Sequence, residues 1–205
     1  MKQCDLIGIS CFSYTYYETV YLINILKTLN IPIIWGGIHA NLCPDMCLNH
    51  TDIICLGEGE QALLDLVNRI HQGINIENTP NFWFKKNGKI IKNPVRPLIK
   101  NVNTLPIEDI NFDDQYIFDG RLIQKQQPRH FRSTLHYIST YGCPHKCSYC
   151  CNSKLQEIFT NNKKSVIRKK TPEKIVDDME NEYTLVNSTR VSGSSQRAKG
   201  GGFIQ

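Results

Sequence analysis

The sequence predicts an α/β fold: a doubly wound parallel sheet with helices on both faces, followed by a further β-loop-α unit. Three observations predict it. Over the first seventy residues short apolar runs alternate with helical periodicity in the order β-α-β, a less regular stretch, then β-α. Each of the three runs ends in small or glycine residues, as strands do at the ligand-binding carboxyl edge of such a sheet. A fourth run leads straight into a cluster of cysteines. With 40% hydrophobic and 21% charged residues in 205, the composition is that of a globular chain and excludes a collagenous, coiled-coil or wholly disordered one. The apolar runs are far shorter than the ~18 residues that span a bilayer, and the amino terminus lacks the apolar stretch of a signal peptide. The expectation is a cytoplasmic protein with no membrane partner.

Asp5-Leu6-Ile7-Gly8-Ile9-Ser10 reads as a buried parallel strand by length and composition. From about Tyr16 to Asn30, Val20, Ile23, Leu26 and Leu29 recur near every third residue, with Leu22 and Ile25 widening the stripe, which predicts a helix with an apolar face to bury. After Pro32, the strand ending at Trp35 runs into Gly36-Gly37. The strand from Asp52 to Leu56 runs into Gly57-Glu58-Gly59-Glu60, ahead of a helix carrying Leu63, Leu64, Val67 and Ile70 and closing near Gly73. Glycines at that edge permit positive φ and let a bulky ligand approach the backbone. For any one pair a tight βα turn explains them equally well; three coincident edges favour ligand binding.

Between 74 and 133 the pattern weakens. Asn87-Gly88 between two apolar runs suits a hairpin turn, and Pro94, Pro97 and Pro106 punctuate an extended connector. Asp109, Asp113, Asp114 and Asp119 have no coordination spacing and read as a solvated acidic loop. The run Thr134-Leu135-His136-Tyr137-Ile138 reads as the next strand. Thr171-Pro172 then opens a helix as N-cap and first-turn proline, with Ile175 and Met179 on its apolar side. The Gly/Ser-rich residues 187–205 read as a disordered tail. The formal charge of +5 is uneven, negative over 1–120 and positive over 121–205. No nucleic-acid-binding motif accompanies the basic half, so a nucleic-acid partner is not expected.

Cys4, Cys11, Cys43, Cys47 and Cys55 are scattered through apolar sequence and read as buried small hydrophobes. Cys143-Pro144-His145-Lys146-Cys147-Ser148-Tyr149-Cys150 is different. Three thiolates at C-x3-C-x2-C on one loop can each reach a different corner of a 4Fe-4S cubane, leaving the fourth iron open for a substrate to coordinate. Two rivals stand beside this reading. Cys151 would be a fourth ligand, against which adjacent cysteines point differently; and zinc would use the three cysteines with His145 or Cys151, although structural zinc usually pairs two separated knuckles.

This loop, with an aromatic before its last cysteine and the setting Ser139-Thr140-Tyr141-Gly142-Cys143-Pro144, closely resembles the radical S-adenosylmethionine (radical SAM) enzymes. The upstream segments Asp5 to Ser10, Gly36-Gly37-Ile38-His39, Gly57-Glu58-Gly59-Glu60 and Arg96-Pro97-Leu98-Ile99 with Leu105-Pro106 resemble the subclass with a cobalamin-binding domain. The resemblance covers about residues 4–186.

It implies a partial doubly wound, Rossmann-like cobalamin-binding domain followed by the first β-loop-α unit of a radical SAM (β/α) barrel. The implied layout is a cobalamin-binding part over 1–73, hairpin and connector over 74–133, the start of the radical domain over 134–186, and the tail. It implies cobalamin, with its nucleotide tail near Ser10, Gly36, Gly37 and Gly57 and with Glu58 among the cofactor-binding residues, and a 4Fe-4S cluster on Cys143, Cys147 and Cys150. S-adenosylmethionine would chelate the open iron, and Tyr149 would meet its adenine side through the backbone. The chemistry implied is reductive cleavage to a 5'-deoxyadenosyl radical with methyl transfer or a related reaction, on an unidentified small molecule, with an electron donor such as flavodoxin or ferredoxin. No Asp-x-His-x-x-Gly occurs, so no lower axial histidine for cobalt is assigned, and His39 is read as lining the strand edge or turn. Met1 falls just before what looks like the family's third strand, and only one barrel unit precedes the tail; a chain truncated at both ends is expected, and activity of its own is not. The alternative is a noncatalytic iron-sulfur or zinc module.

Overall fold

In the computed structural model, residues 4–107, 114–118, 120–125, 137–160 and 166–181 are described. The chain divides into two compact units, one of Met1–Lys100 with Gly142–Val166 and one of Asn101–Tyr141 with Ile167–Gln205.

The first unit is built on a five-stranded sheet of order β1-β2-β3-β4-β5. Strands β1 (Ile7–Ser10), β2 (Ile33–Gly36) and β3 (Ile53–Cys55) are parallel, with Ile7 opposite Ile33 and Ile34 opposite Ile53. Helix α1 (Tyr16–Leu26) connects β1 to β2. Two short helices, α2 (Gly37–Leu42) and α3 (Pro44–Leu48), fill the stretch that is less regular in sequence, and α4 (Gly59–His71) follows β3. The hairpin of β4 (Phe82–Lys86) and β5 (Lys89–Lys92) continues this sheet, β4 pairing antiparallel with β3. Its turn residues Asn87 and Gly88 both have positive φ, 50° and 75°, as a two-residue hairpin requires.

Side chains alternate across the pleat, and both faces are covered. Ile9, Ile33, Trp35 and Ile54 pack with Ile23 of α1, Ala40 of α2 and Cys47 and Leu48 of α3. On the other face Ile34, Cys55, Phe82 and Phe84 pack with Ala62 and Leu66 of α4. The helices bury narrower stripes than their sequences promise. In α1 Ile23 is fully buried while Leu22 and Ile25, and Leu29 just beyond the helix, stay about half exposed; in α4 the buried positions are Ala62 and Leu66, and Leu63, Leu64, Val67 and Ile70 are exposed. Of the scattered cysteines, Cys11, Cys47 and Cys55 are buried, Cys43 is half-buried and Cys4 is exposed. The last of these departs from the expectation that all five are core residues.

The first unit also holds the cysteine loop and helix α5 (Cys151–Thr160), which is a neighbour of α2. In the second unit β6 (Tyr116–Phe118) pairs with β7 (Ile123–Lys125), and β8 (Thr140–Tyr141) pairs antiparallel with β9 (Arg168–Lys169). The strand ahead of the cysteines is therefore short and lies later than expected. Residues 134–136 are outside the described residues, and Tyr137 and Ile138 are not in a strand. Asp109, Asp113, Asp119 and the tail 187–205 also lie outside the described residues.

Helix α6, residues 172–181, starts as its sequence predicts, the Lys174 N–H donating to Thr171 Oγ1 at 3.3 Å. Its Asp178, with a side chain only 1% exposed, accepts from Tyr137 at 2.6 Å and is bridged by Lys170 at 2.9 Å and Lys174 at 2.7 Å. Burial alone would raise its carboxyl; the bonds from Lys174, Tyr137 and Lys170 outweigh that and hold it at about 2. A depressed carboxylate stabilises the fold above its unfolded value near 3.8 and loses that contribution as pH falls toward 2. Local stability across 166–181 is thus expected to fall by about 2 kcal/mol between pH 5 and pH 2. Asp178→Asn, which leaves buried Lys170 without its counter-charge, should cost about 2–4 kcal/mol at pH 7 and flatten that dependence. Hydrogen exchange of the 166–181 amides checks both; an unchanged pH slope in Asp178→Asn would assign the dependence elsewhere.

Candidate functional site at the carboxyl edge of the sheet

The carboxyl ends of β1, β2 and β3 open on a groove of about 770 Å³ between the sheet and α4. Its floor is Gly8 and Ser10 of β1, Ile34 and Gly36 of β2, and Cys55 of β3, and its wall is Leu63, Leu64 and Val67, the stripe of α4 that the core leaves uncovered. The lining is mainly apolar with a few polar groups, the usual character of a site for a flat organic ligand.

Two glycines make the turns that shape it. Gly37 has φ +83°, and a Cβ there would stand 2.3 Å from Ser10 Oγ and 3.1 Å from the Cys11 nitrogen. Gly57 has φ +79°, and a Cβ would stand 2.7 Å from both Asn81 and Val95 side chains. Asn41 ties the two turns together, its amide donating to Gly37 O at 2.9 Å and its Oδ1 accepting from Gly57 N at 2.7 Å. Asn81, itself at φ +76° and buried, donates to Leu56 O at 2.6 Å and accepts from Arg96 N at 3.1 Å, which fixes the connector against the end of β3.

Of the five residues expected to bind cobalamin, Ser10, Gly36, Gly37 and Gly57 come together on the groove. Glu58 is turned to the connector, its carboxylate accepting from Ile99 N at 2.8 Å, and Glu60 is the acid beside the groove. Sequence reasoning passed over Gly8, Asn41 and Asn81. Gly8 carried a usable signal, since a glycine inside a strand marks a place where something approaches the backbone; no atom lies within 4 Å of where its Cβ would be. Asn41 and Asn81 have no spacing that announces them.

His39 lies in α2 beneath Tyr16 and Trp35, 3% exposed, with Nδ1 3.0 Å from Ser13 Oγ. Burial lowers its pKa, so the ring is neutral at pH 7 and belongs to the packed face of the sheet rather than to the groove.

Cys143, Cys147 and Cys150 are half-buried on one loop entered through Gly142 at φ +92°, and Tyr149 on its last turn is 90% exposed. Ser153 and Gln156 of α5 reach back to this loop. Ser153 Oγ lies 3.1 Å from Cys147 O and 2.9 Å from Cys150 O, and the Gln156 amide donates to Cys143 O. Among the described residues no three His, Cys, Asp or Glu side chains gather as the ligands of one metal ion. Thiolates on a single zinc, at about 2.3 Å each, would have to converge, whereas a cubane takes each thiolate on a different iron. The donor set of three soft sulfurs on one loop suits the cubane.

Residues 2–67 match the family of the B12 binding domain. This stretch is similar to a B12-binding domain. Beyond it, the chain is 28% identical over 156 residues to an uncharacterised methyltransferase of Pyrococcus horikoshii, covering 73% of this chain and 32% of that protein. It is 27% identical over 189 residues to the anaerobic magnesium-protoporphyrin IX monomethyl ester cyclase of Rubrivivax gelatinosus, covering 86% of this chain and 30% of the cyclase. The chain thus spans about a third of the length of these curated relatives. Among solved structures it is similar to the radical SAM methyltransferase TsrM from Kitasatospora setae with cobalamin and a 4Fe-4S cluster bound, at TM-score 0.59 and 18% identity over 92% of this chain and 36% of TsrM. It is also similar to the cobalamin-dependent radical enzyme OxsB, at TM-score 0.60 and 15% identity over 92% of this chain and 24% of OxsB. The resemblance to the cobalamin-binding radical SAM proteins, read first from motifs, is borne out by these matches. No helix among the described residues is long and apolar enough to cross a membrane.

Proposed function

We propose that the chain is the cobalamin- and cluster-binding part of a cytoplasmic radical SAM enzyme of the methyltransferase or cyclase kind. The groove at the carboxyl edge carries this reading. It is apolar, glycine-floored and shaped by two positive-φ turns, and it lies within the B12-binding match. The nucleotide tail of cobalamin would lie in it, over Gly8 and beside Ser10, Gly36, Gly37 and Gly57, with Leu63, Leu64 and Val67 covering the base; Glu58 would keep the connector in place. Cys143, Cys147 and Cys150 would hold the 4Fe-4S cluster at the head of a radical SAM barrel's first β-loop-α unit, with Tyr149 at the adenine side of S-adenosylmethionine. When bound, these groups supply one-electron cleavage of S-adenosylmethionine and methyl transfer. The chain's own part is to orient them: Asn41 locks the two glycine turns, and burial of His39 keeps its side chain in the core. Substrate and an electron donor such as flavodoxin or ferredoxin are partners of the whole enzyme.

The test is a titration of hydroxocobalamin followed by absorbance. Gly8 has an ordinary strand conformation and open space above it, so Gly8→Leu should leave the fold intact and fill the groove. It is expected to weaken cobalamin binding at least tenfold while cobinamide, which lacks the nucleotide tail, is bound equally by both proteins. Equal cobalamin affinity in Gly8→Leu and wild type would remove the tail from this groove.

A further inference from the structure

We propose that α5 sets the register of the cysteine loop, with Ser153 and Gln156 as its two positioning residues. The inference rests on the reading that Cys143, Cys147 and Cys150 hold a cluster, and it adds what fixes their spacing.

Ordering an eight-residue loop with little regular structure costs conformational entropy at every residue. If that cost falls at the moment of cluster binding, retention suffers; if the apo loop is already ordered, it does not. Here the order is supplied from one helix. Ser153 and Gln156 are three apart, so they share a face of α5. Between them they reach the main-chain oxygens of all three ligand-bearing residues. The serine hydroxyl has one proton, shared between Cys147 O and Cys150 O as a three-centre bond. The Ser153 N–H also donates to Cys150 O at 3.3 Å, and the Cys150 N–H to Cys147 O at 3.2 Å. The glutamine amide holds the other end of the loop at Cys143 O. All these bonds engage backbone oxygens, so they shape the loop without using a sulfur.

Losing either side chain should loosen the loop whether or not iron is present. With the full chain reconstituted anaerobically, Ser153→Ala and Gln156→Met are expected to lose iron to a ferrous chelator about tenfold faster than wild type. That factor corresponds to about 1.4 kcal/mol, the size of one net hydrogen bond. Ser153→Thr keeps the hydroxyl and should release iron at the wild-type rate. In the metal-free chain, hydrogen exchange of the 143–150 amides should quicken in Ser153→Ala and Gln156→Met and return to wild type in Ser153→Thr, with the far-ultraviolet circular dichroism melt unchanged. If wild type holds a 4Fe-4S cluster and both variants release iron at its rate, the positioning role is overturned and the cluster reading stands. If wild type takes up no cluster, the reading and the proposal fall together. Exchange rates in 143–150 that do not respond to either substitution would overturn the proposal without reference to iron.

Discussion

Cys143→Ala, Cys147→Ala and Cys150→Ala are each expected to leave the anaerobically reconstituted chain without its brown iron-sulfur chromophore, while Cys151→Ala keeps it. A cubane with three protein thiolates has none to spare, and removing one leaves two irons without a protein ligand. Cys151 is the first residue of α5, where its backbone is committed to the helix and its side chain cannot follow that of Cys150. Iron content is expected at about four per chain in wild type and Cys151→Ala, and at a small residual fraction in the other three, with Mössbauer spectra identifying the cluster type. A Cys147→Ala protein that retains the cluster, or a Cys151→Ala protein that loses it, would displace the assignment. Zinc bound in place of iron, at one per chain and dependent on Cys151 or His145, would return the chain to the noncatalytic alternative.

Gly37→Val should cost about 2–5 kcal/mol of stability, and Gly36→Ala less than about 1 kcal/mol, although the two glycines are adjacent. At φ +83° an L side chain is strained by about 1–2 kcal/mol before any contact is counted. Its Cβ would then meet Ser10 Oγ at 2.3 Å and the Cys11 nitrogen at 3.1 Å; the hydroxyl can rotate away, but the backbone nitrogen cannot. Overpacking of that kind adds about 1–3 kcal/mol. Gly36 is extended, with φ −123°, and an added methyl would meet Cys55 Cβ at an ordinary 3.6 Å. Urea unfolding followed by the fluorescence of Trp35 and Trp83, which stand in neighbouring parts of one sheet, measures both. Loss of cobalamin binding in Gly37→Val would then follow from a broken turn, which is why Gly8→Leu is the sharper probe of the groove. A Gly37→Val midpoint equal to wild type would mean that the turn is softer than its contacts indicate.

The parallel strands and the two long helices were legible because each has a period or a length that only one element satisfies. Residues 37–48 were not: α2 and α3 are six and five residues long, too short for periodicity to declare them, and their start at Gly37 looks like a turn. Asn87-Gly88 announced the hairpin, but its place in the main sheet depends on Ile53 facing Phe84 across thirty-one residues, a pairing that no local pattern encodes. The groove's floor was legible in the glycines, and its wall was not. Leu63, Leu64 and Val67 form the most conspicuous apolar stripe of α4, so hydrophobicity alone assigns them to the core, whereas Ala62 and Leu66 take that place. The side chains that organise the site, Asn41 between the glycine turns and Ser153 with Gln156 behind the cysteines, act through hydrogen bonds to main chain, which leave no trace in composition or spacing.

Burial of the scattered cysteines also gives the chain a chemical sorting rule. Burial, reinforced by the neighbouring Cys11 and Cys43, pushes the Cys47 thiol up to about 12; burial likewise pushes Cys55 to about 11, the opposing charges of Arg96 and Glu60 acting after it. Iron and electrophiles react with thiolates, and at pH 7–8 these two sulfurs are thiols to within about one part in a thousand or less. The loop cysteines are half-buried and within reach of solvent. An alkylating reagent therefore meets a chain of nine cysteines in which Cys47 and Cys55 are held back by burial, while Cys4, Cys43 and the loop cysteines stay within its reach.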